Sequence, residues 1–156
     1  MAEIILSNRM QALTDMVTPG TVITDVGCDH GFVSVYLVQK GISPRVIAMD
    51  VRSGPLEHAR EHIREYGLED RIETRLSDGL HSLKTGEAAG MICAGMGGPL
   101  MEKILTEGRE QAKGFRELIL QPQSEIPHFR TFLMEEGYLL MDENIIYPMF
   151  GKDYFK

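Results

Sequence analysis

Short β-rich runs alternate with longer helix-period stretches along this chain, and that rhythm restricts the fold more than any other feature. Such alternation, repeated about five times, predicts a mostly parallel sheet with helices on both faces, an α/β fold. Residues 4–17 read as an opening helix, with Ile5, Leu6, Met10, Leu13 and Val17 near one face and Pro19-Gly20 as its stop. Residues 21–26 read as a buried strand, 27–31 as a turn and 32–39 as a helix closed near Gly41. A second strand over 45–50 leads into a helix over 55–66. Ser53 offers that helix a cap, Pro55 a first-turn residue and Gly67 a stop. The more polar run 71–76 predicts a third strand, nearer a sheet edge. Strands over 89–94, 115–120 and 138–147 alternate with helices over 99–107 and from a Ser124 cap to Glu136, stopped by Gly137. Residues 148–152 read as a hairpin turn and 153–156 as the start of a return strand. Four residues are few for a strand that seals a sheet, so the chain is expected to be a piece of a longer protein. Its 156 residues suit a single domain over 1–156.

Several classes are excluded early. No apolar run approaches the roughly 20 residues of a membrane helix, and no basic region followed by an apolar stretch opens the chain as in a signal peptide. Two cysteines, Cys28 and Cys93, are too few for a disulfide framework or a four-cysteine zinc site, which points to a reduced, cytoplasmic setting. The 23 acidic residues exceed the 16 basic ones, for a net charge of -7. That balance argues against gripping nucleic acid by bulk charge alone and leaves room for a local basic patch.

The residues that carry chemistry fall at the ends of the expected strands, where an open parallel sheet has its ligand crevice. The first strand ends in Asp25-Val26-Gly27-Cys28-Asp29-His30-Gly31, in the pattern D-x-G-x-D-x-G. Carboxylates at Asp25 and Asp29 would repel a pyrophosphate but suit a cationic sulfonium that carries an amino group. The second strand ends in Asp50-Val51, with Asp50 about 20 residues past Gly27, the spacing of an acidic residue that takes ribose hydroxyls. The third ends in Ser77-Asp78-Gly79, whose carboxylate and backbone groups are placed to read an adenine edge. The fourth ends in Ala94-Gly95-Met96-Gly97-Gly98, where the glycines imply unusual backbone angles or a close ligand and Met96 is placed to touch it. The fifth ends in Gln121-Pro122-Gln123, and Pro122 biases Gln121 toward extended geometry, aiming its amide at a polar edge. Arg9 is either a surface charge or an anchor for a carboxylate or phosphate. His58 and His62, at i, i+4 beside Glu57 and Glu61, read as a solvated helix face; no third metal ligand accompanies them. Cys93 reads as core, and for Cys28 to be a nucleophile it would need a base, with His30 the nearest.

These turns together resemble the class I S-adenosylmethionine-dependent methyltransferases, a Rossmann-like group. More narrowly, Leu6-Ser7-Asn8-Arg9, Asp25 to His30, Asp78-Gly79-Leu80, Ala94 to Gly98 and Leu118-Ile119-Leu120-Gln121-Pro122 resemble the bacterial tRNA adenine-22 N1-methyltransferase family (TrmK type). The resemblance implies S-adenosylmethionine as methyl donor, with no metal, and N1 of an adenine in the tRNA D-arm as acceptor. It implies a donor site at Arg9, Asp25, Gly27, Cys28, His30, Gly31, Asp50, Val51, Ser77, Asp78, Gly79, Ala94, Gly95, Met96 and Gly97. For the target base, whose N1 lone pair needs no deprotonation, Asp29 is the candidate for the charge that develops, Gln121 for a hydrogen bond to the base, and Pro122 or Phe32 for packing on its face. The resemblance further implies a seven-stranded sheet whose last strand is antiparallel. Family members carry a C-terminal helical segment thought to help hold tRNA; without it, tRNA binding by this chain is expected to be weakened. The chain departs from the family pattern at Gly31-Phe32-Val33-Ser34, where Ala-Tyr-Leu-Pro is expected, and at Gln123, where Asn is expected. Phe32 thereby lacks a hydroxyl near the target base. Three other readings stay open: a methyltransferase acting on a small molecule or protein, an NAD-dependent oxidoreductase, and a non-catalytic nucleoside- or RNA-binding module.

Overall fold

A computed structural model describes residues 3–146 and 152–155, with side chains through residue 143. The chain order is α1 (Asn8–Asp15), β1 (Ile23–Val26), α2 (Phe32–Gln39), β2 (Val46–Asp50), α3 (Ser53–Glu65), β3 (Ile72–Leu76), β4 (Gly90–Met96), α4 (Gly98–Glu107), α5 (Arg109–Lys113), β5 (Glu117–Pro122), α6 (Ile126–Glu135), β6 (Glu143–Ile146) and β7 (Lys152–Phe155). They form a seven-stranded sheet in the order β3-β2-β1-β4-β5-β7-β6. Strands β1 to β5 pair in parallel, and β7 is antiparallel to both β5 and β6. The polar β3 indeed lies at one edge of the sheet. From β1 the chain moves outward through β2 and β3, then returns to place β4 on the other side of β1. A ligand crevice opens at such a reversal.

Two apolar layers flank the sheet because successive strand side chains point to opposite faces. In β2, Val46 and Ala48 pack with Leu13, Leu37, Leu56 and Ile63 of α1 to α3. Ile47 and Met49 pack with Met101, Leu105, Ala112, Phe129 and Leu133 of α4 to α6. Burying each large apolar side chain contributes roughly 1.5–3 kcal/mol.

Several element bounds differ from the sequence reading, each for a local reason. Helix α1 starts at Asn8, not residue 4, because Ser7 caps it: Ser7 Oγ accepts from the Met10 N–H at 3.3 Å. Ile4 instead donates its N–H to Gln39 Oε1 at 3.0 Å. Ser53 lies inside α3, whose N-cap is Arg52 with no side-chain bond. Strand β4 continues through the first part of the glycine run to Met96, with a register shift between Ala94 and Met96. The short α5 between Gly108 and Gly114 was not expected. Ser124 does not cap α6, whose N-cap is Glu125 with φ 54°. Residues 138–142 form no strand, so β6 is confined to Glu143–Ile146. The return strand is present as β7, whereas most of the expected hairpin turn, 148–151, lies outside the described residues.

Ser124 has another task. Its carbonyl and Oγ lie 3.1 and 3.3 Å from the Gly98 N–H, tying the start of α4 to the loop after β5. A Cβ on Gly98 would stand 2.5 Å from the Ser124 carbonyl oxygen, so close approach of two backbones demands glycine there. Gly98→Ala is therefore expected to cost about 1–3 kcal/mol and lower the Tm by several degrees in a thermal melt. Gly54→Ala, where a Cβ meets nothing within 4 Å, should leave the Tm unchanged or slightly raised.

Candidate functional site

The turns that follow β1 to β5 open onto one cavity of about 530 Å³, a size suited to a nucleoside-sized ligand. Its wall includes Arg9, Asp25, Gly27, Cys28, Asp29, His30, Phe32, Asp50, Val51, Ser77, Asp78, Gly79, Ala94, Gly95 and Met96. The structure thus brings together most residues expected from the sequence. Arg52, Leu100 and Ile104 also line it and were missed. The signal for Arg52 was its place two residues after a strand-end carboxylate that needs a cation. A second cavity, of about 510 Å³, lies by the start of β5 between Leu118, Leu133, Leu139 and Met141, away from these turns.

Four expected site residues are not on the wall. Gly31 takes φ 81° at the N-cap of α2, where a Cβ would press on Ala59; its glycine serves helix packing. Gly97 is backed by Ser124 Oγ, 2.8 Å from where its Cβ would sit. Gln121 is 0% exposed and Pro122 is buried. The Gln121 Oε1 accepts from the Gly95 N–H at 3.2 Å, and its Nε2 has no hydrogen-bond partner among the described residues. In this structure the pair stands behind the cavity wall and supports the Gly95 turn.

The β1 turn is held by β2. The N–H groups of Gly27 and Cys28 both donate to the Met49 carbonyl, at 2.8 and 2.9 Å. Asp29 has φ 53°, costly for a non-glycine residue, and its N–H donates to Asp50 Oδ2 at 3.0 Å. Asp50 Oδ1 accepts from the Arg52 N–H at 2.9 Å and from Arg52 Nε at 3.2 Å. Hydrogen bonding and charge from Asp50 raise the Arg52 pKa. Ser77 Oγ donates to the Gly79 carbonyl at 2.8 Å and accepts from the Ser82 N–H at 3.0 Å. Ser77 is thus occupied within its own turn, while Asp78 is exposed.

Asp25 is the electrostatic centre of the cavity. Burial, opposed by the Ser34 hydroxyl and reinforced by Asp50 and Asp29, pushes its carboxyl up to about 6. Ser34 Oγ donates to it at 2.8 Å, and no cation pairs with it among the described residues. A cationic ligand group is what such a carboxylate lacks. The Cys28 thiol is driven well above its usual range by burial and then by Asp25, Asp50 and Asp29, which removes it as a nucleophile at neutral pH.

Among the described residues no third potential ligand side chain joins His58 and His62; they stack with His30 and Phe32. Among the described residues, Asp78, His81 and Glu107 have potential ligand atoms within 4.8 Å, all exposed. No helix among them is long and apolar enough to cross a membrane.

Sheet order and acidic strand-end turns define the class: a Rossmann-like methyltransferase fold. A family model described as a methyltransferase domain matches residues 6–152. The chain belongs to that methyltransferase domain family. It is 37% identical to the tRNA (adenine(22)-N(1))-methyltransferase of Bacillus subtilis over 94% of its own length and 61% of that protein. The crystal structure of the Bacillus subtilis M1A22 tRNA methyltransferase TrmK superposes with a TM-score of 0.92 at 35% identity, covering 98% of this chain and 65% of that one. The Streptococcus pneumoniae protein Sp1610, solved with S-adenosyl-L-methionine, gives 0.90 at 32% identity, over 97% and 71% of the two chains. The chain thus spans a little under two thirds of the Bacillus subtilis protein.

The Asp25 carboxyl should leave a mark on stability. The folded state holds this proton up to about pH 6, whereas an ordinary unfolded aspartate releases it near 3.8. Its contribution is therefore complete below the lower value and is lost as pH rises through the higher one, amounting to about 3 kcal/mol. Denaturant melts between about pH 4 and 6.5 should show Asp25→Asn gaining on the parent as pH rises. Parallel curves would exclude a raised Asp25.

Proposed function

We propose that this chain transfers a methyl group from S-adenosylmethionine to N1 of an adenine in the D-arm of tRNA, in a cytoplasmic setting. The observation that carries the reading is Asp25, a buried carboxylate that no cation pairs with among the described residues, on the wall of a nucleoside-sized cavity. S-adenosylmethionine supplies an electrophilic methyl on a sulfonium, together with an ammonium, a carboxylate and an adenosine. The residues present fit each part. Asp25 faces the cationic end, and Arg9, on the same wall near Gly95, faces the carboxylate. Asp50 takes the ribose hydroxyls in exchange for its long contact with Arg52 Nη2 at 3.5 Å, and Asp78 with the Gly79 backbone reads the adenine edge. The likeness to the Bacillus subtilis and Streptococcus pneumoniae proteins supports the same assignment. The weaker grip on tRNA expected for this stretch of chain belongs to the same proposal.

Neutral adenine carries a lone pair on N1, so no base need remove a proton. The target must be unpaired, turned out and aimed, and catalysis is mainly positioning plus electrostatics. Asp29 is the group for the charge that moves onto the base: its strained backbone thrusts the carboxylate outward, half in solvent, beside the cavity. Accepting from the exocyclic amine, it stabilises the cationic product-like ring. Phe32 packs on the base. Gln121 and Pro122 act as positioning residues by holding the Gly95–Met96 turn against the reacting end.

Calorimetric titration of the chain with S-adenosylhomocysteine should be saturable, and with NAD flat; binding of NAD alone would reverse the cofactor assignment. On unmodified tRNA, Asp29→Ala should lower turnover by roughly 100-fold or more with S-adenosylhomocysteine affinity intact. Turnover within a fewfold of the parent would remove Asp29 from that role. Methyl transfer to protein and not to RNA would favour the competing methyltransferase reading.

A further inference from the structure

His58 and His62 project from α3 toward the β1 turn and extend the rings of His30 and Phe32 beyond the cavity wall. The His30 and His58 imidazoles are parallel within 5°, with centroids 4.9 Å apart. Behind them Phe32 and His62 stack at 4.6 Å, and His30 lies 6.2 Å from Phe32. The array is fixed rather than loose. His62 Nδ1–H donates to the His30 carbonyl at 2.7 Å, which locks the ring on α3 to the backbone of the turn. His30 and Phe32 are on the cavity wall. His58 is the outer end: one face is covered by His30, yet 57% of its side chain is in solvent. The rings therefore lead from the cavity out across α3.

The charges nearby decide what such a surface takes. Asp29 stands 3.7 Å from His30 Nε2, and Glu61 3.8 Å from His58 Nδ1. The nearby Arg52 is engaged by Asp50 and Asp29, and Arg60 by Glu57. A phosphodiester meets carboxylates here, so the ring faces, not the charges, are what the surface offers. Unpaired bases stack on exposed aromatic and imidazole faces, and each such contact is worth roughly 1–3 kcal/mol.

We propose that His58, stacked on His30 at the rim of the cavity, is a base-stacking subsite that takes an unpaired RNA nucleobase next to the one being methylated. The inference rests on the RNA-directed reading above. It gives α3 a role in holding the turned-out segment while the target base occupies the cavity.

The test uses a short single-stranded oligoribonucleotide with one adenine flanked by 2-aminopurine, whose emission falls on stacking. The chain contains no tryptophan to obscure that signal. With S-adenosylhomocysteine saturating, the parent should bind and quench. His58→Ala should weaken binding roughly 5- to 100-fold and lose the quench, whereas His58→Phe, which keeps a ring, should stay within about 3-fold of the parent. S-adenosylhomocysteine affinity should be unchanged in both, which shows that each variant is folded. Parent-like binding and quenching by His58→Ala overturns the subsite. So does a His58→Phe variant as weak as alanine, because the contact would then be polar. A parent that binds S-adenosylhomocysteine and methylates unmodified tRNA but does not bind this oligonucleotide overturns the subsite alone, whereas one that neither binds nor methylates any RNA overturns the RNA reading and this inference with it.

Discussion

The carboxylate of Asp50 ties the site together. At the end of β2 it accepts from the Asp29 N–H on one side and from the Arg52 backbone and guanidinium on the other. A buried carboxylate is stable only when hydrogen-bonded and paired, and these donors meet that demand. In doing so they join the turn after β1 to the turn after β2. The left-handed backbone of Asp29 persists because Asp50 holds its N–H in place. The outward placement of the Asp29 side chain, and the position of His30 next to it, follow from that hydrogen bond.

Charge organises the cavity in the same way. Asp25, Asp29 and Asp50 stand within one crevice, and their mutual repulsion adds to burial in raising the Asp25 carboxyl. Such a cluster stores a demand for positive charge, which a cationic donor meets and a pyrophosphate does not. The acidic balance of the whole chain, -7, has the same consequence at the surface. A polyanion brought to that surface would have to be held by ring faces and by a few local cations, not by bulk attraction.

Much of this was legible beforehand because it depends on short-range rules. Helix α2 occupies the residues that its apolar period marks, 32–39, and the five parallel strands follow their apolar runs. The strand-end residues Asp25, Asp50, Asp78 and Gly95 reach one cavity because a parallel sheet puts every carboxyl end on the same side. What was not legible depends on partners distant in sequence. Ser124 reads as a helix cap but is 26 residues from the N–H that it binds. Gln121 reads as a group aimed outward but is turned under Gly95. Residues 138–142 carry a strand-like apolar pattern yet form no strand.

The sequence by itself determined the class of the molecule: the α/β alternation, the parallel sheet, and acidic and glycine-rich turns at the strand ends. Those follow from periodicity and turn chemistry, which act over a few residues. Only the tertiary structure decided which of these residues face the cavity and which brace it. Glycines at 27 and 95 line the site, while those at 31, 97 and 98 let backbones and helices approach. It also turned two histidines that read as a solvated helix face into the end of a ring stack. The reason is that burial and stacking are properties of neighbours, and neighbours are assigned when α3 docks on the β1 turn.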